Sequence, residues 1–452
     1  MSKELLEAPI KGLVLAKAGA MAVGIVGIMV FTVVDTWFIA LLGTDALAAM
    51  SFIMPITFIV SSFAMGMSMG MASVMGRLLG GNDQNQAKGF VTDGLILSVI
   101  VVALIAGLGL ITIEPLFLLL GAEPELIPLI HSYIFFWYLA IPLLVIPMVG
   151  NSAIRATGDV KTPSMVMLFA GGVNALLDPL FIFTLEMGMR GAAVATAVSW
   201  LLTFVVAAYM LAFKLNLIER ALPPFRRMKD NWKQLLTIGI PASVSQMLNP
   251  LANTIVVAML AVYGVAAVAA LGVGARVESL LLIFALAVSV VVPIVFGQNY
   301  GAKQFKRAGA SIRYSFNLVI GIHVVLYGFI FFTAPMISGW FSNDPEVIQL
   351  STLYLQILPL SYALQGVALV ITMLLNTLHR PMTSLAINGI RLFVFLLPGA
   401  WLGGQINGAI GLFWGIAISQ IIAGLGLYFY GLNLIKSVES EGELDSQQLA
   451  TA

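Results

Sequence analysis

The sequence predicts an all-α polytopic membrane protein of twelve transmembrane helices, arranged as two pseudo-symmetric six-helix bundles. Three observations carry this. Of 452 residues, 60% are hydrophobic and only 10% charged, whereas a soluble domain is about 45–50% apolar and about 25% charged. Apolar stretches long enough to cross roughly 30 Å of hydrocarbon recur along the whole chain. The two halves also resemble each other at a fixed offset.

The spans follow in order. The opening MSKELLEAPIKG is charged and has no apolar run ending in a small-residue cleavage site, so span one, 10–42, is expected to remain in the mature protein. Gly43 to Asp45 separate it from span two, 45–79, and the turn between Arg77 and Lys88 leads to span three, 86–113. Glu114 and Glu123 bound the next loop, before span four, 123–150; Arg155 and Lys161 precede span five, 160–184; Glu186 and Arg190 precede span six, 190–213. The connector NLIERALPPFRRMKDNWK (216–233) then breaks at Pro223-Pro224. The second half repeats the pattern with spans 234–263, 266–297, 305–334, 345–378, 382–403 and 408–435. Several exceed a flat crossing, so tilt or kinks are expected. The organisation reads as an N-lobe (1–214), a basic cytoplasmic linker (215–233), a C-lobe (234–436) and an acidic tail (437–452) expected to be disordered.

Basic residues set the orientation. One side carries Arg77, Lys88, Arg155, Lys161, the cluster from Lys214 to Lys233, Lys303, Lys306, Arg307 and Arg380; the other carries mainly acidic residues and Arg190. The positive-inside rule places both termini in the cytoplasm. A formal net charge of +1 gives no footprint for nucleic acid, and zero cysteines exclude disulfides and thiolate-held metals.

GTDALAAM begins at Gly43 and GVAAVAAL at Gly264, and the same offset carries Gly76, Gly80 and Ala87 onto Gly297, Gly301 and Ala308. An even number of spans per half makes the repeats parallel, an arrangement found in transporters. The offset places Pro241, early in span seven, opposite Ala20 in span one. Proline there bends a helix and alanine favours a straight one.

Ionisable groups inside spans are expensive and mark candidate function. Asp35 lies about seven residues, roughly 10 Å of rise, below the outer end of span one. Asp178 lies at similar depth in span five; Asn174, four residues earlier, shares its helix face. Thr196 in span six is about six residues below its outer end. The repeat places apolar residues opposite both carboxylates, Val256 facing Asp35, so the acidic set belongs to one half alone. Two carboxylates in low dielectric cannot both stay charged cheaply, so one is expected to exchange a proton. The same oxygens suit a small cation, and a cationic substrate would compete with either.

Other polar residues read as structural. Arg276 and Glu278 are expected to pair with each other or a neighbouring span, and Arg155, Asp159 and Lys161 to anchor a loop beside Asn151. His131 and His323 are isolated, and Asp93 is expected to reach water at the inner end of span three. Met67, Met71 and Met75 either line a compliant cavity or fill a helix interface. No phosphate-binding loop, nucleophile triad or metal motif occurs, which excludes ATP-driven pumping within the chain and leaves no basis for an enzyme.

VDTWFIALLGTDALAA, GRLLGGNDQNQA, NSAIRATGDVKTP, NALLDPLFIF and GARVES, in this order and spacing, resemble the multidrug and toxic compound extrusion (MATE) family, and the aspartates in spans one and five resemble its DinF-type prokaryotic branch. The resemblance implies a V-shaped pair of six-helix bundles in the prokaryotic inner membrane, acting as a monomer and exporting cationic or amphipathic drugs against H+ or Na+. It implies Asp35 as the principal coupling residue, Asn174, Asp178 and Thr196 as the rest of the ion site, and Asn151 as a substrate neighbour. The family's span-one proline corresponds to Ala20, which puts a bend-driven step in doubt for this chain. The expected activity is H+-coupled antiport without a cofactor, with Na+ coupling next. A flippase for a lipid-linked precursor would need a basic cavity, and a passive channel would conduct without coupling.

Overall fold

The computed structural model describes residues 3–221 and 223–451, with side chains over 4–221 and 223–441, and every regular element among them is helical. The first half holds α1 (Lys3–Glu7), α2 (Ile10–Ala40), α3 (Thr44–Gly80), α4 (Gln84–Leu119), α5 (Ile127–Ala156), α6 (Lys161–Pro179) and α7 (Gly188–Tyr209). The second holds α8 (Phe225–Ala261), α9 (Val265–Leu281), α10 (Ile283–Gly301), α11 (Phe305–Phe341), α12 (Pro345–Ile357), α13 (Tyr362–Thr377), α14 (Pro381–Gly389) and α15 (Leu397–Thr451). Three segments are π-helical: Leu180–Thr184 after α6, Met210–Lys214 after α7, and Ile390–Leu396 between α14 and α15.

Among the described residues, eleven segments are long and apolar enough to cross a membrane. The last, Pro381–Glu441, is two crossings, because Asn407 (φ −146°, ψ 40°) and Gly408 (φ 57°, ψ −142°) break the helix. The expected twelve result. Large apolar side chains face outward on both halves, Leu119 at 85% and Phe332 at 82% exposure. In water such a surface would aggregate; in lipid it is the solvated face.

The repeat recurs in the backbone. Gly43 (φ 114°) and Gly264 (φ 105°) open α3 and α9, at the 221 offset. Both need a conformation that glycine alone adopts without strain. Asn82 and Lys303 (φ 61° and 57°), and Gly158 and His379 (φ 102° and 57°), repeat left-handed turns at that offset.

Two expectations differ from the observed elements. Of the connector expected over 215–233, residues 215–221 and 223–224 are non-helical, and the Pro224 carbonyl accepts from Met228 N–H (3.2 Å) and so starts α8. Helix also continues through 437–441 in the segment expected to be a disordered tail; the side chains beyond lie outside the described residues. By contacts, residues 20–243 form one compact unit, and those up to 19 with 244 onward form another. The boundaries fall within α2 and α8, each continuous through the division.

Within the first unit, one apolar core gathers Ile53, Phe117, Tyr133, Trp137 and Ile182, and another gathers Met67, Met71, Met75, Phe90 and Leu235. The three methionines are fully buried in that cluster, packed at a helix interface. The second unit has its own core around Leu271, Tyr354, Leu396 and Phe413.

Candidate functional site

Small residues bring span one against span five. A Cβ added at Gly24 would lie 3.0 Å from Ser164 Cα, one at Gly27 would lie 2.8 Å from Leu168 Cα, and one at Gly171 would lie 3.3 Å from Phe31 Cβ. The successive pairs 24/164, 27/168 and 31/171 show α2 and α6 running parallel in register. One further turn along, the register delivers Asp35 to Asn174 and Asp178. Burial on α6 follows one stripe, Pro163, Ser164, Ala170, Asn174 and Asp178, while Met165, Phe169 and Leu176 are exposed. Pro179 lacks a backbone donor, and the π-helical turn Leu180–Thr184 follows it. Gly191 on α7 makes room for that turn, since a Cβ there would meet Phe181 O at 2.6 Å.

The four expected residues Asp35, Asn174, Asp178 and Thr196 come together. Asn174 and Asp178 are fully buried, Thr196 is 3% exposed and Asp35 is 8% exposed. With its amide oriented to satisfy both neighbours, Asn174 donates to Asp178 Oδ2 (2.9 Å) and accepts from the Thr196 backbone N–H (3.3 Å). Asp35 Oδ1 and Thr196 Oγ1 are buried without a hydrogen-bond partner. Asp35 and Asp178 are close enough to repel electrostatically, and the buried Tyr133 on α5 feels both. Tyr133 was not singled out from sequence; it stands in the aromatic run SYIFFWY, where nothing separates it from core neighbours.

The other expected residues lie elsewhere. Asn151 is buried on α5, but 18 residues beyond Tyr133, roughly 27 Å along the helix, so it does not join the carboxylates. Ala20 lies in the uninterrupted α2, and Pro241 is accommodated within the equally uninterrupted α8. Arg276 and Glu278 do not pair: residues two apart point to different helix faces. Glu278 accepts from Tyr354 Oη (2.9 Å), and Arg276 lies over the Phe341 ring at 6.0 Å. Asp93, expected to reach water, is fully buried. Arg227 Nε and Nη2 (both 3.2 Å) and Asn231 Nδ2 (2.7 Å) cover its carboxylate, and Trp232 Nε1 donates to its carbonyl (2.7 Å). The isolated His323 has its Nδ1 2.8 Å from Val319 O, while its Nε2 is buried without a hydrogen-bond partner.

The second unit contains a polar set centred on an arginine rather than on carboxylates. Arg391, in the π-helical segment of span eleven, is 7% exposed. Its Nη1 donates to Gln420 Oε1 (3.0 Å), and its Nη2 to Asn388 Oδ1 (3.0 Å) and Asn249 Oδ1 (3.2 Å). The signal in sequence is one arginine inside the apolar run INGIRLFVFLLP.

The MatE family model matches residues 20–180 and again 241–402, so the two matches are the two halves of the repeat. Among curated relatives, the "FAD transporter" of Shewanella oneidensis is 40% identical over 440 residues, covering 96% of this chain and 97% of that protein. The "Multidrug export protein MepA" of Staphylococcus saprophyticus is 24% identical over 90% of each chain. Among solved structures, the Vibrio cholerae MATE transporter VcmN in the bent form superposes with a TM-score of 0.90 at 29% identity, covering 95% of this chain and 98% of that one. Twelve crossings, a doubled family match and relatives named as transporters over nearly the whole length lead to one conclusion: the chain belongs to the MatE family of membrane transporters, and its work is transport rather than catalysis.

Proposed function

We propose that the protein exports cationic or amphipathic small molecules by antiport against H+, with Asp35 as the coupling group. The observation that carries this reading is Asp35 itself, a buried carboxyl with an unpartnered oxygen beside a second buried carboxyl. An ionised carboxylate left unpartnered in low dielectric is costly. It is stabilised either by a proton or by a cationic substrate, and the two exclude each other. Asn174 ties Asp178 to α7, so a change of charge at Asp35 is felt by three helices. Asn151 has no part in the ion site, though its burial leaves it a candidate neighbour of substrate. The polar set is complete within one chain, which supports a working monomer, and the basic loops support a cytoplasmic-membrane protein with both termini inside.

The test uses proteoliposomes loaded with a fluorescent cationic dye. A pH gradient alone drives export in this reading; export driven by a Na+ gradient and indifferent to pH overturns it in favour of Na+ held by the same oxygens. A second reading, export of a flavin nucleotide, is favoured by the name of the relative that is 40% identical over 96% of this chain. Substituting FAD for the dye in the same vesicles decides between the substrates.

A further inference from the structure

Spans seven, eleven and twelve are the repeat counterparts of spans one, five and six, which carry the carboxylate set. They hold Asn249 and Ser245, Asn388 and Arg391, and Gln420 respectively. We propose that this second set is an anion site, in which the Arg391 guanidinium receives a phosphate or pyrophosphate group of an exported organic anion. The proposal rests on the export reading and adds to it a substrate class and a second locus.

Among the described residues, the side-chain hydrogen bonds of Arg391 all go to neutral amide oxygens, and no carboxylate forms an ion pair with it. Glu278 acts on it electrostatically from beyond ion-pair range while accepting the Tyr354 phenol. A buried guanidinium whose hydrogen bonds all go to neutral amides, and which meets the Glu278 carboxylate only from beyond ion-pair range, is an incompletely compensated charge, and its planar fork matches phosphate oxygens two at a time. The set is built to open. Asn388 is fixed from behind, its Nδ2 donating to Ser245 O and Oγ (both 3.0 Å), and Gln420 is buried. Asn249 is exposed, so its amide can leave Nη2 and give the position to a ligand oxygen. Arg391 stands ten residues past Pro381, about 15 Å into the span and near the centre of a 30 Å layer. Phospholipid headgroups do not reside at that depth, which favours a solute phosphate over a lipid one.

The π-helical turn occurs in both halves, after Asp178 and around Arg391. The repeat thus offers two sites of opposite charge on equivalent helices. A dinucleotide with a polar ring system and a pyrophosphate presents chemistry suited to the second.

The experiment measures binding of FAD and of riboflavin, which shares the ring but lacks phosphate, to the full chain in nanodiscs of phosphatidylcholine alone. FAD should bind more tightly than riboflavin, and inorganic pyrophosphate should displace it. Arg391→Gln should weaken FAD about ten- to a hundredfold and leave riboflavin unchanged. If Arg391→Gln does not fold, Arg391→Lys, which keeps the charge without the fork, should weaken FAD selectively, and Asn249→Ala should tighten it. FAD binding no tighter than riboflavin, equal affinity in the Arg391 variants, or parallel loss of both flavins overturns the assignment. Asp35→Asn, scored separately for proton coupling, fails or passes without moving FAD affinity, so the two readings fall independently.

Discussion

Replacing Gly27 by alanine puts a methyl carbon 2.8 Å from Leu168 Cα and 3.1 Å from Leu168 Cδ1. Ordinary carbon contacts lie at about 3.5–4.0 Å, so α2 and α6 must separate by about 1 Å at that point. The nearest clash is with backbone, and no rotamer change relieves it. Overpacking of this kind costs about 1–3 kcal/mol, of which the better helix propensity of alanine returns at most about 1. The net effect is a destabilisation of order 1 kcal/mol and a loosened register between Asp35 and Asp178, two turns further along. Gly172, next to the interface residue Gly171, is the control, because a Cβ there meets nothing within 4 Å. In detergent, Gly27→Ala should melt a few degrees below Gly172→Ala, and in vesicles its proton-driven export should fall several-fold while that of Gly172→Ala holds. A Gly27→Ala protein as stable and as active as Gly172→Ala would refute the packing account of how the carboxylates are brought together.

Three further outcomes follow from the same geometry. Asn174→Ala leaves Asp178 without its side-chain partner, which should cost about 1–3 kcal/mol and reduce coupled export, read as a lower melting midpoint with a raised proton leak. Arg227→Ala uncovers the buried Asp93 carboxylate; since the guanidinium side chain is 35% exposed, the loss should be about 1–3 kcal/mol rather than the larger figure for a closed pair, seen as faster proteolysis of the connector 216–224. Ala20→Pro should remove a donor from α2 and push against the Ala16 carbonyl. The chain has no native cysteine, so spin labels at Lys11→Cys and Val33→Cys report on α2 alone. An unbroken helix holds them about 33 Å apart; a bend of about 25° at the proline brings them only about 1 Å closer and one of about 60° about 4 Å closer, and an unchanged distance would show that α2 absorbs the proline as α8 absorbs Pro241.

How much was legible in sequence depended on contrast with lipid. Asp35, Asn174, Asp178 and Thr196 stood out because polar groups within apolar spans have few structural excuses, and equal depth plus i, i+4 spacing put them together. Tyr133 has an apolar body and a polar tip, so an aromatic run conceals it. Arg391 has no polar counterpart in the repeat: the 221 offset pairs it with Ala170, eight residues or about two turns before Asp178, so the second half holds its charge at a different depth and with opposite sign. Asp93 needed tertiary information: the residues that bury it, Arg227, Asn231 and Trp232, are more than 130 positions distant. Gly27 and Gly171 gave no signal as register-setting residues, because a glycine in a span reads alike whether it faces a helix or lipid, as Gly172 shows.

The central claim is that a proton and a cationic substrate compete for Asp35. The most direct measurement is proton release on substrate binding, followed with a pH dye in weakly buffered detergent solution of the purified chain. About one proton should appear per cation bound to the wild type, as reciprocal linkage requires, and none on binding to Asp35→Asn. Proton release undiminished in Asp35→Asn, or substrate binding with no release in the wild type, would contradict the account.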